Sequence, residues 1–249
     1  MYVDTHCHIS SDDYENIDEL ISNNRNANVE KIIISGCTKD SIVESIEISK
    51  KHNDVYLSIG YHPSEASVVG PGDLKFLEIA ISDDKVVAIG EIGLDYHYGA
   101  DNKALQIDLF EKQLALAEKY NLPVVIHSRD ATVDTINILK KYKLRGDIHC
   151  FSGSLETAKI YINMGYYLGI GGVVTFKNSN LSKVIKEIGI NNILLETDSP
   201  YLAPEPVRGT KNSSRNLVYI SKKIAEILNI SEEKVADITT SNASNLFDL

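Results

Sequence analysis

Short apolar runs rich in β-branched residues recur along the chain, at Tyr2–His8, Lys31–Gly36, Val55–Gly60, Val86–Gly90, Pro123–His127, Asp147–Phe151, Tyr166–Gly171 and Asn192–Thr197. They are nearly continuous in apolar character rather than alternating. That is the pattern of strands buried on both faces of a parallel sheet. Between them the period changes to that of a helix. Leu105, Leu109, Phe110, Leu114 and Ala117 fall on one face ahead of Leu122-Pro123. Ile136, Leu139 and Lys140 mark the next helix, and Ala158, Ile160, Tyr161 and Met164 another. Ser154 with Thr157 makes a partial capping box. Ser231-Glu232-Glu233 is a fuller helix start, with acids in the first turn. Two last helices, near Ser214–Leu228 and Ser231–Leu246, have no strand between them and are expected on the outside of the sheet.

Eight strands alternating with helices predict an α/β chain with the TIM-type (β/α)8 barrel. The length of 249 residues suits one such domain over residues 1–249, with residues 213–249 as C-terminal helices packed on the barrel. No G-x-G-x-x-G follows the first run, which argues against a dinucleotide site.

Composition narrows the class. Hydrophobic residues make up 43% of the chain, enough for a sizeable core. No stretch of eighteen apolar residues is present, so no membrane span is expected. The first run starts at once, without a basic and then apolar leader, so no signal peptide is expected. Cys7, Cys37 and Cys150 are odd in number and lack C-x-x-C spacing. Reduced thiols and a cytoplasmic location follow as expectations. A monomer or weak oligomer is expected. The net charge of −10 is the wrong sign for a protein that coats DNA through a broad basic surface. It leaves room for a nucleic acid gripped at one end, because two bound divalent ions add four positive charges where a phosphate must sit.

The polar residues at the ends of the runs carry the chemistry. In a β/α barrel the C-terminal strand ends form one face. His6 and His8 are two apart on a strand, so both imidazoles point the same way, and Asp4 shares that side. His-x-His alone also arises from packing. Here further imidazoles and carboxylates follow at later strand ends, in Glu91, His127, His149, Glu196 and Asp198. Such a set can hold two divalent ions and activate water. By the same alternation Cys7 and Cys150 point away and read as small buried hydrophobes.

Six ordered motifs resemble one known family. They are Asp4-Thr5-His6-Cys7-His8, Gly60-Tyr61-His62-Pro63, Gly90-Glu91-Ile92-Gly93-Leu94-Asp95-Tyr96, Pro123-Val124-Val125-Ile126-His127-Ser128-Arg129, His149-Cys150-Phe151-Ser152-Gly153 and Glu196-Thr197-Asp198-Ser199-Pro200-Tyr201. Together they resemble the TatD family of metal-dependent hydrolases, within the amidohydrolase-like superfamily, from the first strand to about residue 212. The resemblance implies a two-metal site and phosphodiester hydrolysis, commonly by a deoxyribonuclease. By position, His6, His8 and Asp198 would bind the first ion, His127 and His149 the second, and Glu91 both. A carboxylate can span two ions roughly 3.5–4 Å apart, whereas a neutral imidazole ligates one. The chain departs from the family at Ser213-Ser214, where Glu-Pro is usual after Arg208-Gly209-Thr210-Lys211-Asn212.

The expected reaction is hydrolysis of DNA from an exposed end by a metal-activated water, with Asp198 accepting the proton and Glu91 holding the metals. Zinc, magnesium or manganese would serve. DNA is expected as substrate rather than as a lasting partner. His62 is expected to touch substrate, or to protonate the leaving oxygen, rather than to ligate metal. Arg129, Arg208 and Asn212 are candidate phosphate or base contacts, guanidinium being suited to bidentate phosphate binding. A salt bridge from Arg129 to Asp130 or Asp134 is the plainer alternative. Glu196 is either an orienting partner of a ligand or an ordinary interior carboxylate. His52 reads as a solvated helix cap, His97 as a loop residue and Asp95 as a shaper of the loop after the fourth strand. Two other functions compete. One is hydrolysis of an amide or ester such as an aminoacyl bond, which needs the same ligands. The other is a non-catalytic DNA-associated scaffold, disfavoured by the acidic balance and the lack of a basic aromatic stripe.

Overall fold

A computed structural model describes residues 1–97, 99 and 101–249. Among these, strands and helices alternate in the order β1 (Tyr2–Cys7), α1 (Ile17–Asn26), β2 (Val29–Gly36), α2 (Lys39–Lys51), β3 (Val55–Ile59), α3 (Pro71–Ala80), β4 (Val86–Asp95), α4 (Lys103–Tyr120) and β5 (Val124–Arg129). They continue through α5 (Thr132–Leu139), β6 (Gly146–Ile148), α6 (Leu155–Asn163), β7 (Tyr166–Ile170), α7 (Leu181–Ile188), β8 (Ile193–Leu195), α8 (Leu217–Leu228) and α9 (Glu232–Phe247). The eight described strands form one sheet in sequence order, β1 to β8. This is the TIM-type (β/α)8 architecture.

Two compact units make up the chain: residues 1–34 with 150–249, and residues 35–149. In the first, β1 pairs in parallel with β2 and β7 with β8. The β1 and β8 ends also meet, where Thr5 Oγ1 donates to the Leu195 carbonyl at 3.1 Å. Helix α9 lies against β1 and β8. Its buried Asn242 amide donates to the Ile193 carbonyl at 2.9 Å. In the second unit β3, β4, β5 and β6 pair successively in parallel, and α4 packs on β4.

Local chemistry starts the helices as their sequences suggest. Asn16 accepts from the Glu19 amide at 3.0 Å and Ser231 from the Lys234 amide at 3.2 Å, each satisfying an amide that the helix leaves unpaired. Ser154 accepts from the Thr157 amide at 3.2 Å, the half of the capping box expected there. At α2, Thr38 and Ser41 cap each other reciprocally.

Several expected boundaries shift. Strand β4 continues past Gly90 to Asp95, because β5 keeps pairing with it as far as Asp95 opposite Arg129. Strands β6 and β8 are only three residues long, so His149 and Asp198 lie just beyond them. The helix expected from Ser214 starts at Leu217, after a 3-10 turn over Ser214–Asn216. The buried face of α4 keeps four of its five expected residues and takes in two amides. Leu105 is 49% exposed, and Gln106 and Gln113 are buried beside Leu109, Phe110, Leu114 and Ala117. Ile160 of α6 likewise faces outward, whereas Ala158 and Tyr161 are buried. His52 ends α2 as expected, but it is buried rather than solvated.

Candidate metal centre

In the first unit β1 delivers His6, which is fully buried, and His8 follows one residue past the strand. Their Nε2 atoms lie 3.3 Å apart. Asp198 Oδ1 stands 3.8 Å from Nε2 of His6 and 3.5 Å from that of His8. Two imidazole nitrogens and a carboxylate oxygen therefore lie within 3.8 Å of one another, a donor set suited to a divalent cation.

Backbone pairing past the end of β8 holds Asp198 there. The amides of Thr197 and Asp198 donate to the His6 carbonyl at 3.3 and 3.0 Å, and the His8 amide donates to the Ser199 carbonyl at 2.7 Å. Asp198 has φ of 53°, a left-handed conformation that aspartate tolerates better than most residues. The turn is braced from two sides. Buried Asp4 accepts from Thr197 Oγ1 at 2.6 Å and from its amide at 3.0 Å. Burial pushes the Asp4 carboxyl up to about 6, against the opposing effect of those hydrogen bonds. On the other side the Asn212 amide donates to the carbonyls of Thr197 at 2.9 Å and Tyr201 at 2.8 Å.

Asn212 thus departs from the expected substrate contact. It is 0% exposed, and its Oδ1 accepts from the Ser213 amide and the Asn216 side chain, each at 2.9 Å. Every polar atom of its side chain is spent inside the protein. Arg208 is exposed, with its guanidinium carbon 4.0 Å from the centre of the Phe176 ring. Glu196 is fully buried and accepts from the Cys150 amide at 2.7 Å, which fixes the backbone just after His149. Cys7 is buried, its thiol directed at the Ile33 carbonyl at 3.5 Å.

The second unit carries its own cluster. Glu91 Oε1 lies 2.5 Å from Nδ1 of His127, 3.6 Å from Nε2 of His149 and 4.0 Å from Nε2 of His62. Glu91, His127 and His149 each offer a donor atom within 4.8 Å of the others, and so do His62, Asp95 and His127. His62 begins a 3-10 turn, its Nδ1 accepting from the Ser64 amide at 3.1 Å, which turns the ring toward the cluster. The rings of His62 and His127 stand 4.5 Å apart, edge to face.

The His127 imidazole sits between two carboxylates, with Asp95 Oδ2 3.1 Å from its Nε2. Burial disfavours its charged form. The Glu91 charge and hydrogen bonds to Asp95 and Glu91 outweigh that and push it up to about 9. Burial also opposes the charge on Asp95, yet hydrogen bonds from His127 and the His97 amide hold its carboxyl below the usual range.

Two residues here were given no place in the site by the sequence reading. Asp95 was expected only to shape a loop. The available signal was its spacing of four from Glu91, which puts both on one face of a strand if the strand runs that far. Cys37 follows Gly36 at the end of β2, and its thiol lies 3.7 Å from Glu91 Oε2. Arg129 ends β5, exposed, on the same side as His127. The two acids proposed for its salt bridge have other contacts: Asp130 with His97 at 2.9 Å and Asp134 with Lys103 at 2.6 Å. A cavity of about 400 Å³ is lined by His62, Asp95, Gln106 and neighbouring residues.

Comparison with known proteins agrees with this chemistry. A sequence model described as "TatD related DNase" matches residues 3–248. A Bacillus subtilis (strain 168) protein described as "Uncharacterized metal-dependent hydrolase YabD" is 40% identical over 252 residues, covering 99% of each chain. The Escherichia coli (strain K12) protein "Uncharacterized metal-dependent hydrolase YcfH" is 32% identical, over 99% of this chain and 96% of its own. Among solved structures, YJJV, a TatD homologue of Escherichia coli K12, superposes with a TM-score of 0.91 at 28% identity, covering 100% of this chain and 98% of that one. The chain belongs to the TatD family of metal-dependent hydrolases.

Proposed function

We propose that this hydrolase is a deoxyribonuclease that cleaves phosphodiester bonds from an exposed DNA end, using two divalent ions. The observation that carries the reading is the pair of clusters, each a carboxylate surrounded by imidazoles: Asp198 with His6 and His8, and Glu91 with His127 and His149. Each sits at or just past the C-terminal part of a strand, on the side of this fold where such sites are built. The family description supports DNA as the substrate class.

Bound ions would lower the pKa of water toward neutrality and offset phosphate charge. In this reading Glu91 would hold metal with His127 and His149, while Asp198 would hold it with His6 and His8 and accept a proton from water. A base on a left-handed turn braced by Asp4 and Asn212 is held to one geometry, which favours proton transfer. His62 faces the 400 Å³ cavity, where its imidazole can donate to a phosphate oxygen or to the leaving oxygen. Arg129 and Arg208 supply guanidinium for the flanking phosphates. Three free cysteines suit a reducing cytoplasm. Among the described residues no helix is long and apolar enough to cross a membrane.

The test is hydrolysis of end-labelled single-stranded DNA by protein reconstituted with zinc, magnesium or manganese, beside a panel of amide and aminoacyl-ester substrates. Metal-dependent release of nucleotides supports the proposal. Turnover of the amides or esters with inert DNA overturns it.

A further inference from the structure

We infer that Asp95 is a positioning residue that sets the His127 tautomer, leaving Nδ1 to face the cation. The inference rests on the reading of His127 as a ligand. A neutral imidazole carries one proton, and an ionised carboxylate can only accept. Asp95 Oδ2, at 3.1 Å, therefore retains the proton on Nε2 when a cation would displace the one on Nδ1. Nδ1 is the nitrogen that faces Glu91, at 2.5 Å, and it is the one whose proton a cation held there would displace. An imidazole held by a carboxylate in this way is both oriented and more basic as a ligand.

The Asp95 carboxylate is built into place. Its Oδ1 accepts from the His97 amide at 2.9 Å. The buried Gln106 side chain grips the Asp95 backbone at both ends: Oε1 accepts from its amide at 2.8 Å, and Nε2 donates to its carbonyl at 2.8 Å. One helical face repeats the device two turns on. Buried Gln113 accepts from the Tyr61 amide at 2.7 Å and donates to its carbonyl at 3.0 Å, one residue before His62. Thus α4 registers both Asp95 and the segment that carries His62, two of the groups against His127. This accounts for two amides on a face where apolar side chains would otherwise pack.

The test uses the whole protein and its Asp95→Asn, Asp95→Ala and His127→Ala variants. Zinc affinity is measured by calorimetry, and the tautomer by nitrogen-15 spectra of the zinc-loaded imidazole. Loss of the carboxylate is expected to weaken zinc at the Glu91–His127–His149 cluster about 10- to 100-fold. Asp95→Asn should fall between wild type and Asp95→Ala, because its amide oxygen still accepts. In the wild type the proton should reside on Nε2, shifted downfield, and Asp95→Ala should lose that shift. A purely structural role would lower thermal stability without moving this signal. If His127→Ala loses zinc while both Asp95 variants bind it as wild type does, the inference is overturned alone. Wild-type zinc binding by His127→Ala overturns the ligand reading, and the inference with it. Asp95→Asn is isosteric and keeps the test open should Asp95→Ala not fold.

Discussion

Gly93 lies directly opposite His127 in the β4–β5 ladder, so close that a Cβ on Gly93 would stand 2.0 Å from the His127 carbonyl oxygen. Its φ of 146° is one that side-chain-bearing residues rarely adopt. Glu91 and Asp95 flank it by two residues on either side and share its face, so one reaches each nitrogen of the His127 ring. Gly93→Ala is expected to destabilise the protein by at least about 2 kcal/mol from backbone strain and the clash. It should also weaken zinc at this cluster. Thermal unfolding and zinc titration check this, and wild-type values in both would refute the role given to the glycine.

Chelation should abolish hydrolysis and leave the fold. The core is built from residues such as Ile32, Ile33, Leu57 and Leu77, all essentially inaccessible to solvent, and burial of this kind needs no ion. Far-ultraviolet circular dichroism after chelation is expected to retain the helical signal, with activity returning on adding metal. Collapse of the helical signal would mean that the ions are structural.

Asn212→Ala separates a structural amide from a substrate contact. Removing its side chain leaves the buried Thr197 carbonyl and the part-buried Tyr201 carbonyl without that donor. A loss of about 2–4 kcal/mol in stability is expected. Denaturant unfolding measures it. An unchanged stability with a raised KM for DNA would restore the substrate role.

Arg208→Ala and Arg129→Ala should each slow DNA hydrolysis about 10- to 100-fold, the equivalent of one charged hydrogen bond of roughly 1.5–3 kcal/mol, at unchanged metal content. Arg208 is the better placed of the two to hold a flat phosphate contact, being stacked on Phe176. Metal stoichiometry and hydrolysis are measured on the same preparations. Full DNA hydrolysis by both variants would remove the proposed phosphate grip.

Asp198→Ala should cost far more than either arginine, because it removes ligand and proposed base together. Asp198→Asn keeps the size and one oxygen donor. It is expected to retain part of the zinc affinity while losing at least about 100-fold in rate. Equal rates for Asp198→Asn and wild type would exclude the base.

What the sequence determined by itself is local. Nearly continuous apolar runs, separated by helical period, give eight strands and the (β/α)8 order, because backbone geometry ties each period to one element type. Alternation within a strand also put His6 and His8 on one side, where both now meet Asp198. Only the tertiary structure decided what depends on register between strands. The length of β4 follows from its pairing with β5, and with it the reach of Asp95 to His127. Asn212 reads as a loop residue because nothing nearby in sequence shows the carbonyls of Thr197 and Tyr201 closing around its amide. The burial of Gln106 and Gln113 is not legible for the same reason: a buried amide is satisfied by backbone groups from distant strand ends, and hydropathy does not record them.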